Sequence, residues 1–141
     1  MLNISVIDNV SPSLAQMAHN LQSLPLAKIA EIMVDGVMRN FQEEGREYVK
    51  EGMVTGGPWE PRKEPTGDWP LLNKTGDLMN SIWTQEYQSG SDAVVYMDAG
   101  ETYGNYLNQG TTKMVARPFL VLSEEEWTEI ENVIDEHMGM I

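Results

Sequence analysis

The sequence contains no cysteine, which excludes disulfides, thiolate metal sites and cysteine nucleophiles and fits a cytosolic origin. It has no apolar run approaching the roughly 20 residues that a membrane-spanning helix needs. Its opening stretch, MLNISVIDNV, lacks the basic segment of a secretion signal. We therefore expect no membrane span. With 141 residues, the chain is expected to form one domain, residues 1–141, with a modest core.

Basic residues are scarce. Nine Lys and Arg stand against 22 Asp and Glu, which gives a net charge of -13. The basic residues are scattered and form no stripe of the kind that binds nucleic acid, and an acidic surface repels the phosphate backbone. The charge has two interpretations: solubility alone, or a protein that lies near DNA without adhering to it. Composition by itself favours the first.

The usual catalytic patterns are also missing. The sequence has no glycine-rich phosphate loop and no nucleophile elbow, and His19 and His137 lie in different predicted helices without metal-ligand spacing. We therefore predict that the chain is not an enzyme and that it uses no cofactor and no metal. A small hydrolase that uses carboxylates remains the alternative, although nothing singles out a pair of acids.

The first half of the chain predicts a strand and two helices. Leu2 to Ile7 alternates apolar and polar residues, which is typical of a strand. Helices are predicted over 12–23 and over Leu26–Glu44, the longest, with Gly45 as its end. Gly36 inside this helix costs about 1 kcal/mol relative to alanine, which a closely packed bulky neighbour would explain.

The middle of the chain predicts a long loop. Glycines and prolines interrupt residues 46–72. Trp59 and Trp69 within it either dock the loop onto the core or contact a partner.

The second half predicts three helices and a hairpin. Helices are expected over 75–83, 101–108 and 123–138, and Gly110 ends the second. Ser123 stands three residues before Glu126, a capping-box pattern. Residues 84–88 and 93–98 flank a short polar turn and predict a β-hairpin.

These elements predict an α+β fold in which a small, mostly antiparallel sheet packs against a long N-terminal helix, with a C-terminal helix. The sheet would contain Leu2–Ile7, Ile82–Gln88 and Ala93–Asp98. The run Arg117–Leu122 either closes this sheet or, as part of the arm 111–122, adds its backbone edge to a neighbouring subunit.

The last predicted helix is strongly acidic. Residues 124–136 include seven acidic side chains and no basic one. The first three suit a helix N-terminus, whereas the later ones oppose the helix dipole. A solvated helix face is the simplest interpretation. If copies form a ring with this helix along the channel, Glu129, Glu131 and Asp135 would let DNA pass with little friction.

Several segments, taken together in their order, resemble the phage virion-morphogenesis family, the tail-completion or head–tail joining proteins of Mu-like and related tailed phages. They are NFQEEG at 40–45, GGPWEP at 56–61, LLNKTGDLMNSI at 71–82, YGNYLNQGTTKM at 103–114 and ARPFLVLSEEEW at 116–127. The last two are the most specific. Gly104 departs from the alanine expected after tyrosine, and 46–70 is a variable loop that leaves the partner of this copy open.

The resemblance implies a non-enzymatic structural protein of the virion neck or upper tail, assembled in the cytoplasm of the bacterial host. It implies a six-fold ring of identical copies or a related symmetric arrangement, contacts with other neck and tail proteins, and DNA that passes through without specific binding. We predict partner or subunit contacts at Trp59, Trp69, Tyr103, Tyr106, Met114, Arg117, Phe119 and Trp127. Two alternatives stay open: a tail terminator that caps the tail tube, and an acidic DNA mimic that inhibits a DNA-handling enzyme.

Overall fold

A computed structural model describes the backbone of residues 2–7 and, with their side chains, residues 23–62, 71–72, 76–89, 92–112 and 114–139. Their elements in chain order are β1 Leu2–Ile7, α1 Leu26–Gln42, β2 Glu47–Lys50, β3 Met53–Gly56, α2 Asp77–Asn80, β4 Ile82–Ser89, β5 Asp92–Ala99, α3 Gly104–Gln109 and α4 Glu124–Met138. The predicted helix 12–23, apart from Ser23, and Trp69 lie outside the described residues. None of the described helices combines the length and apolar character that a membrane crossing requires.

The main sheet is antiparallel and has the strand order β1-β5-β4. Its register sets Ile4 opposite Val95, and Val95 opposite Glu86. The predicted α+β class is therefore confirmed, with the strands close to their predicted bounds.

The core lies between this sheet and two long helices. Helix α1 packs against β4, β5 and α4. The apolar face of α1, which includes Met33 and Val37, is buried and meets Val95 and Met97 from β5. Buried and more exposed side chains alternate along β5, because the strand is pleated and every second side chain faces α1. Ile130 of α4 completes this core.

The structure also contains a second, two-stranded sheet that was not predicted. Strands β2 and β3 form an antiparallel hairpin within the predicted loop 46–72. Glu51 and Gly52 connect them with φ of 53° and 78°, the two positive values that a type I′ turn requires. Every residue of β3 is exposed, so no alternation marked it as a strand.

Helix ends differ from prediction for local reasons. Helix α1 ends at Gln42, because Glu44 adopts the left-handed conformation with φ of 53°. The amide of Gly45 then donates to the carbonyl of Asn40 at 2.8 Å, which closes a Schellman motif. The helix predicted over 75–83 is only the single turn α2, because β4 begins at Ile82.

Candidate interaction surface

A buried ion pair joins α1, α4 and the chain between them. Glu126 is only 2% exposed, and Arg46 donates hydrogen bonds to both of its carboxylate oxygens. Arg46 also donates to the carbonyl of Gly36 at 2.8 Å and to Oδ1 of Asn40 at 2.9 Å. A buried charge is tolerated only when it is paired in this way. The pair fixes where α4 begins relative to α1.

Glu126 also completes the capping box of α4. The Ser123 hydroxyl accepts from the Glu126 amide, and the Glu126 carboxylate accepts from the Ser123 amide at 3.2 Å. Burial raises the pKa of the Glu126 carboxyl, but hydrogen bonds from Arg46 and Ser123, together with the charge of Arg46, lower this pKa below its ordinary value. The predicted cap is confirmed, although Glu126 is internal and does not belong to the solvated face.

Gly36 is explained by the same carboxylate. A Cβ at this position would lie 2.6 Å from Oε1 and 2.7 Å from Cγ of Glu126. The expected close neighbour is therefore present, and it is a charged side chain from a helix 90 residues further along the sequence.

The run Arg117–Leu122 forms no strand in the described structure, so the alternative in which it closes the main sheet is wrong. Two asparagine side chains bind its main chain instead. Asn108 accepts from the amides of Phe119 and Leu120 at 2.9 and 3.0 Å, and Asn40 donates to the carbonyls of Phe119 and Val121 at 2.8 Å. One main-chain bond, from Val49 to Leu122 at 2.9 Å, joins the run to β2.

Two of the predicted partner contacts lie in the subunit's own core. Trp59 is buried, donates from its indole to the carbonyl of Pro118 at 3.0 Å, and meets Phe41 edge to face. Phe119 is fully buried, with its ring centroid 5.4 Å from that of Phe41. Trp59 thus docks its loop onto the core, and neither ring is available to a partner.

Arg117 also acts within the subunit. Its guanidinium donates to the carbonyl of Glu60 at 2.9 and 3.0 Å. It therefore ties the chain after the hairpin to the segment that leads into α4.

Three predicted contacts are exposed and lie close in sequence. Tyr103 and Tyr106 are 43% and 61% exposed, and Met114 is 38% exposed. Val115 beside Met114 is also exposed and was not predicted. We call these four residues the tyrosine–methionine surface. Partial burial raises the pKa of Tyr103, and the neighbouring charges of Glu101 and Asp77 raise it further.

The segment that carries this surface is fixed to the core. Gly104 at the start of α3 is buried, and a Cβ there would lie 3.5 Å from the ring of Phe119. The amide of Arg117 donates to the carbonyl of Leu107 at 2.9 Å, so the chain folds back along α3. Gly110 ends α3 with φ of 77°, as predicted.

The acidic residues of α4 lie on two adjoining faces. Helical spacing places Glu124, Glu131 and Asp135 on one of these faces. It places Glu125, Glu129 and Glu136 on the other. Glu129 and Glu131 are exposed, whereas Asp135 is half-buried. The three residues predicted to face a channel therefore share one helix but not one face.

A groove between the small hairpin and α4 was also missed. It has a volume of about 440 Å³. Its lining includes Val49, Val54, Glu124, Trp127, Thr128 and Glu131. Val54 is 50% exposed and the neighbouring Met53 is 71% exposed. The sequence signal for the β2–β3 hairpin was Gly52, which lies between two four-residue segments of strand-forming character, EYVK and MVTG.

Trp127, another predicted contact, lines this groove and is half-buried. Its indole Nε1 is buried and has no hydrogen-bond acceptor among the described residues. An unpaired buried donor costs about 1–3 kcal/mol.

The outer face of β4 carries two further exposed rings. Trp83 and Tyr87 are exposed and stand on the face opposite to α1, where the register pairs them with Asp98 and Val94. Strand β4 lies where it was predicted, but no contact was predicted on its outer face.

The described side chains contain no group of three or more His, Cys, Asp or Glu residues that could hold a metal ion. Comparison of the chain with protein families, with curated proteins and with solved structures finds no match.

Proposed function

We propose that this chain is a structural protein of the neck or upper tail of a tailed bacteriophage. Copies would form a ring that completes the tail and joins it to the head. The motifs at 103–114 and 116–127 support this proposal because they resemble the virion-morphogenesis family most specifically.

The observation that carries the proposal is the tyrosine–methionine surface. The segment with the most specific motif exposes Tyr103, Tyr106 and Met114, which the subunit's own core does not use. Tyrosine and methionine are enriched in protein interfaces. Because hydrogen bonds and the buried Gly104 hold α3 in place, this surface is formed before a partner arrives.

The acidic faces of α4 suit the inside of such a ring. DNA carries a dense negative charge, and exposed carboxylates give it no binding sites. In this proposal α4 borders the channel with the face that carries Glu129 and Glu136, both exposed, and the ring admits DNA without retaining it.

Neutralising the channel acids tests this arrangement. The double variant Glu129→Gln and Glu136→Gln should assemble normally but slow DNA passage, measured as reduced infectivity of complete particles. Glu86→Gln, an exposed acid on β4, is the matched control. Unchanged infectivity of the double variant would remove the channel role of α4.

Assembly of the purified chain tests the ring itself. Native mass spectrometry and negative-stain electron microscopy should show one closed species, six-fold by the family resemblance. A monomer both in free solution and in extracts that contain assembled tails would contradict the ring.

A DNA mimic is the second candidate, and the two exposed acidic faces of α4 favour it. Such a protein would bind a basic DNA-handling enzyme tightly, and salt would weaken the complex strongly. Binding of that kind, together with normal particles in the absence of this chain, would select this candidate.

A further inference from the structure

We infer that the groove between the β2–β3 hairpin and α4 receives the turn Thr111–Ala116 of a second copy of this chain. The inference rests on the proposal that copies form a ring, and it names the contact that joins them.

The groove offers an apolar floor and an acidic rim. Val49, Val54 and Trp127 supply the apolar atoms, and Glu124 and Glu131 stand at the rim. Val54 is half exposed in the free subunit, so covering it removes apolar surface from water.

Strand β3 adds a free backbone edge. In a hairpin closed by a two-residue turn, Lys50 and Met53 form a hydrogen-bonded pair, so the main-chain groups of Val54 point away from β2. No other described main chain bonds to Val54. An extended segment can therefore pair with this edge, the mode by which sheets accept peptide strands.

The indole of Trp127, which lines the groove, carries an unsatisfied donor. Its Nε1 is buried and has no acceptor among the described residues of the subunit. In the proposed contact the indole turns toward a main-chain carbonyl of the entering segment, and this pairing removes the cost of the unpaired N–H.

The turn of a second copy matches these features. The turn Thr111–Ala116 contains no acidic side chain and one basic one, Lys113, so it is complementary in charge to an acidic rim. Met114 and Val115 are exposed and supply apolar contacts.

The backbone of the turn is also suited to pairing. Thr111 and Met114 close the turn with main-chain bonds of 2.8 and 3.3 Å. The main chains of Val115 and Ala116 bond to no other described residue. They are therefore free to pair with an edge strand.

This contact is head-to-tail, because the groove and the turn are different parts of the subunit. A head-to-tail contact leaves one groove and one turn unused in every dimer. Further copies then add until a ring closes, if the rotation between neighbours permits closure.

Cross-linking tests the contact directly, because the chain contains no cysteine. Val54→Cys and Val115→Cys replace exposed side chains, so both variants should fold. Mild oxidation of a mixture should give a disulfide-linked dimer, whereas Val54→Cys mixed with Gln85→Cys should not. No dimer from the first mixture, in the purified protein and in assembled particles alike, would overturn the inference.

A mixing experiment tests the head-to-tail geometry. Val54→Glu blocks the groove and Met114→Glu blocks the turn, so each variant alone should lose at least tenfold in self-association by sedimentation velocity. The unmodified turn of Val54→Glu can still enter the unmodified groove of Met114→Glu. A mixture of the two variants should therefore form a dimer that grows no further. Gln85→Glu adds the same charge to a strand of the main sheet and should assemble normally. Two variants that both assemble like the unmodified chain would overturn the inference.

The outcomes separate this contact from the proposed function. Rings that form without the Val54–Val115 cross-link would reject the contact but would not affect the proposed function as a neck protein. Normal particles without this chain would reject the function, whatever the cross-link shows.

Discussion

Replacing Arg46 by methionine tests how far the buried carboxylate of Glu126 depends on one guanidinium. Arg46→Met keeps much of the apolar stem but removes four hydrogen bonds, two of them to Glu126. Removing one partner of a buried ion pair costs about 3–5 kcal/mol. Ser123 still donates to the carboxylate, and Arg39 stands 3.9 Å away. We therefore expect the free energy of unfolding to fall by about 3 kcal/mol, the lower end of that range.

The pH dependence of the free energy of unfolding shows whether the uncompensated Glu126 carboxylate causes this loss. In the unmodified chain the pKa of Glu126 is lowered, because Arg46 and Ser123 outweigh burial. Its contribution to stability is therefore present above the ordinary carboxyl pKa and is lost as the pH falls through the lowered pKa. In Arg46→Met, Glu126 stays buried but loses the hydrogen bonds and the charge of Arg46. The pKa of Glu126 should therefore rise above its ordinary value. The variant then regains stability as the pH falls through this raised pKa, and the gap to the unmodified chain narrows.

Urea unfolding followed by tryptophan fluorescence measures both effects, at neutral pH and near the ordinary carboxyl pKa. Arg39→Met is the matched control, because the Arg39 side chain is 42% exposed against 12% for Arg46. Exposed ion pairs contribute at most about 1 kcal/mol. An equal loss in both variants, or a gap for Arg46→Met that does not change with pH, would refute the reasoning.

Three further substitutions can be measured by the same unfolding assay. Gly36→Ala should cost about 1–3 kcal/mol through overpacking against Glu126, and a gain would show that this carboxylate can move aside. Glu44→Gly relieves a left-handed residue at the end of α1 and should stabilise by about 1 kcal/mol. A loss would mean that the Glu44 side chain makes compensating contacts. Ser123→Ala removes the cap of α4 and should cost about 1 kcal/mol; an unchanged midpoint would assign the capping to Glu126 alone.

Periodicity and local signals predicted much of the fold. The apolar spacing from Ile29 to Phe41 placed α1, because a helix that packs on a sheet must repeat its apolar residues every three or four positions. Ser123 and Gly110 marked helix ends correctly, since caps act through atoms only a few residues away.

Features that depend on distant residues could not be predicted in this way. Arg46 and Glu126 are 80 residues apart, and each resembles an ordinary surface charge in the sequence. Arg117–Leu122 has the composition of a strand, but side chains from Asn40 and Asn108 bind its main chain.

The candidate surface was only partly predictable, because aromatic residues serve cores and interfaces equally well. Tyr103 and Tyr106 are exposed as expected, whereas Trp59 and Phe119 are buried. The groove beside Trp127 was missed because β3 has no buried face to impose an alternating pattern. Only the packing of the hairpin beside α4 creates it.

Electron microscopy of particles made without this chain tests the central claim most directly. If the chain joins head to tail, DNA-filled heads will stand beside separate, finished tails. Tails of uncontrolled length would instead make it a tail terminator within the same structural role. Normal, infectious particles would contradict the account and favour the DNA mimic.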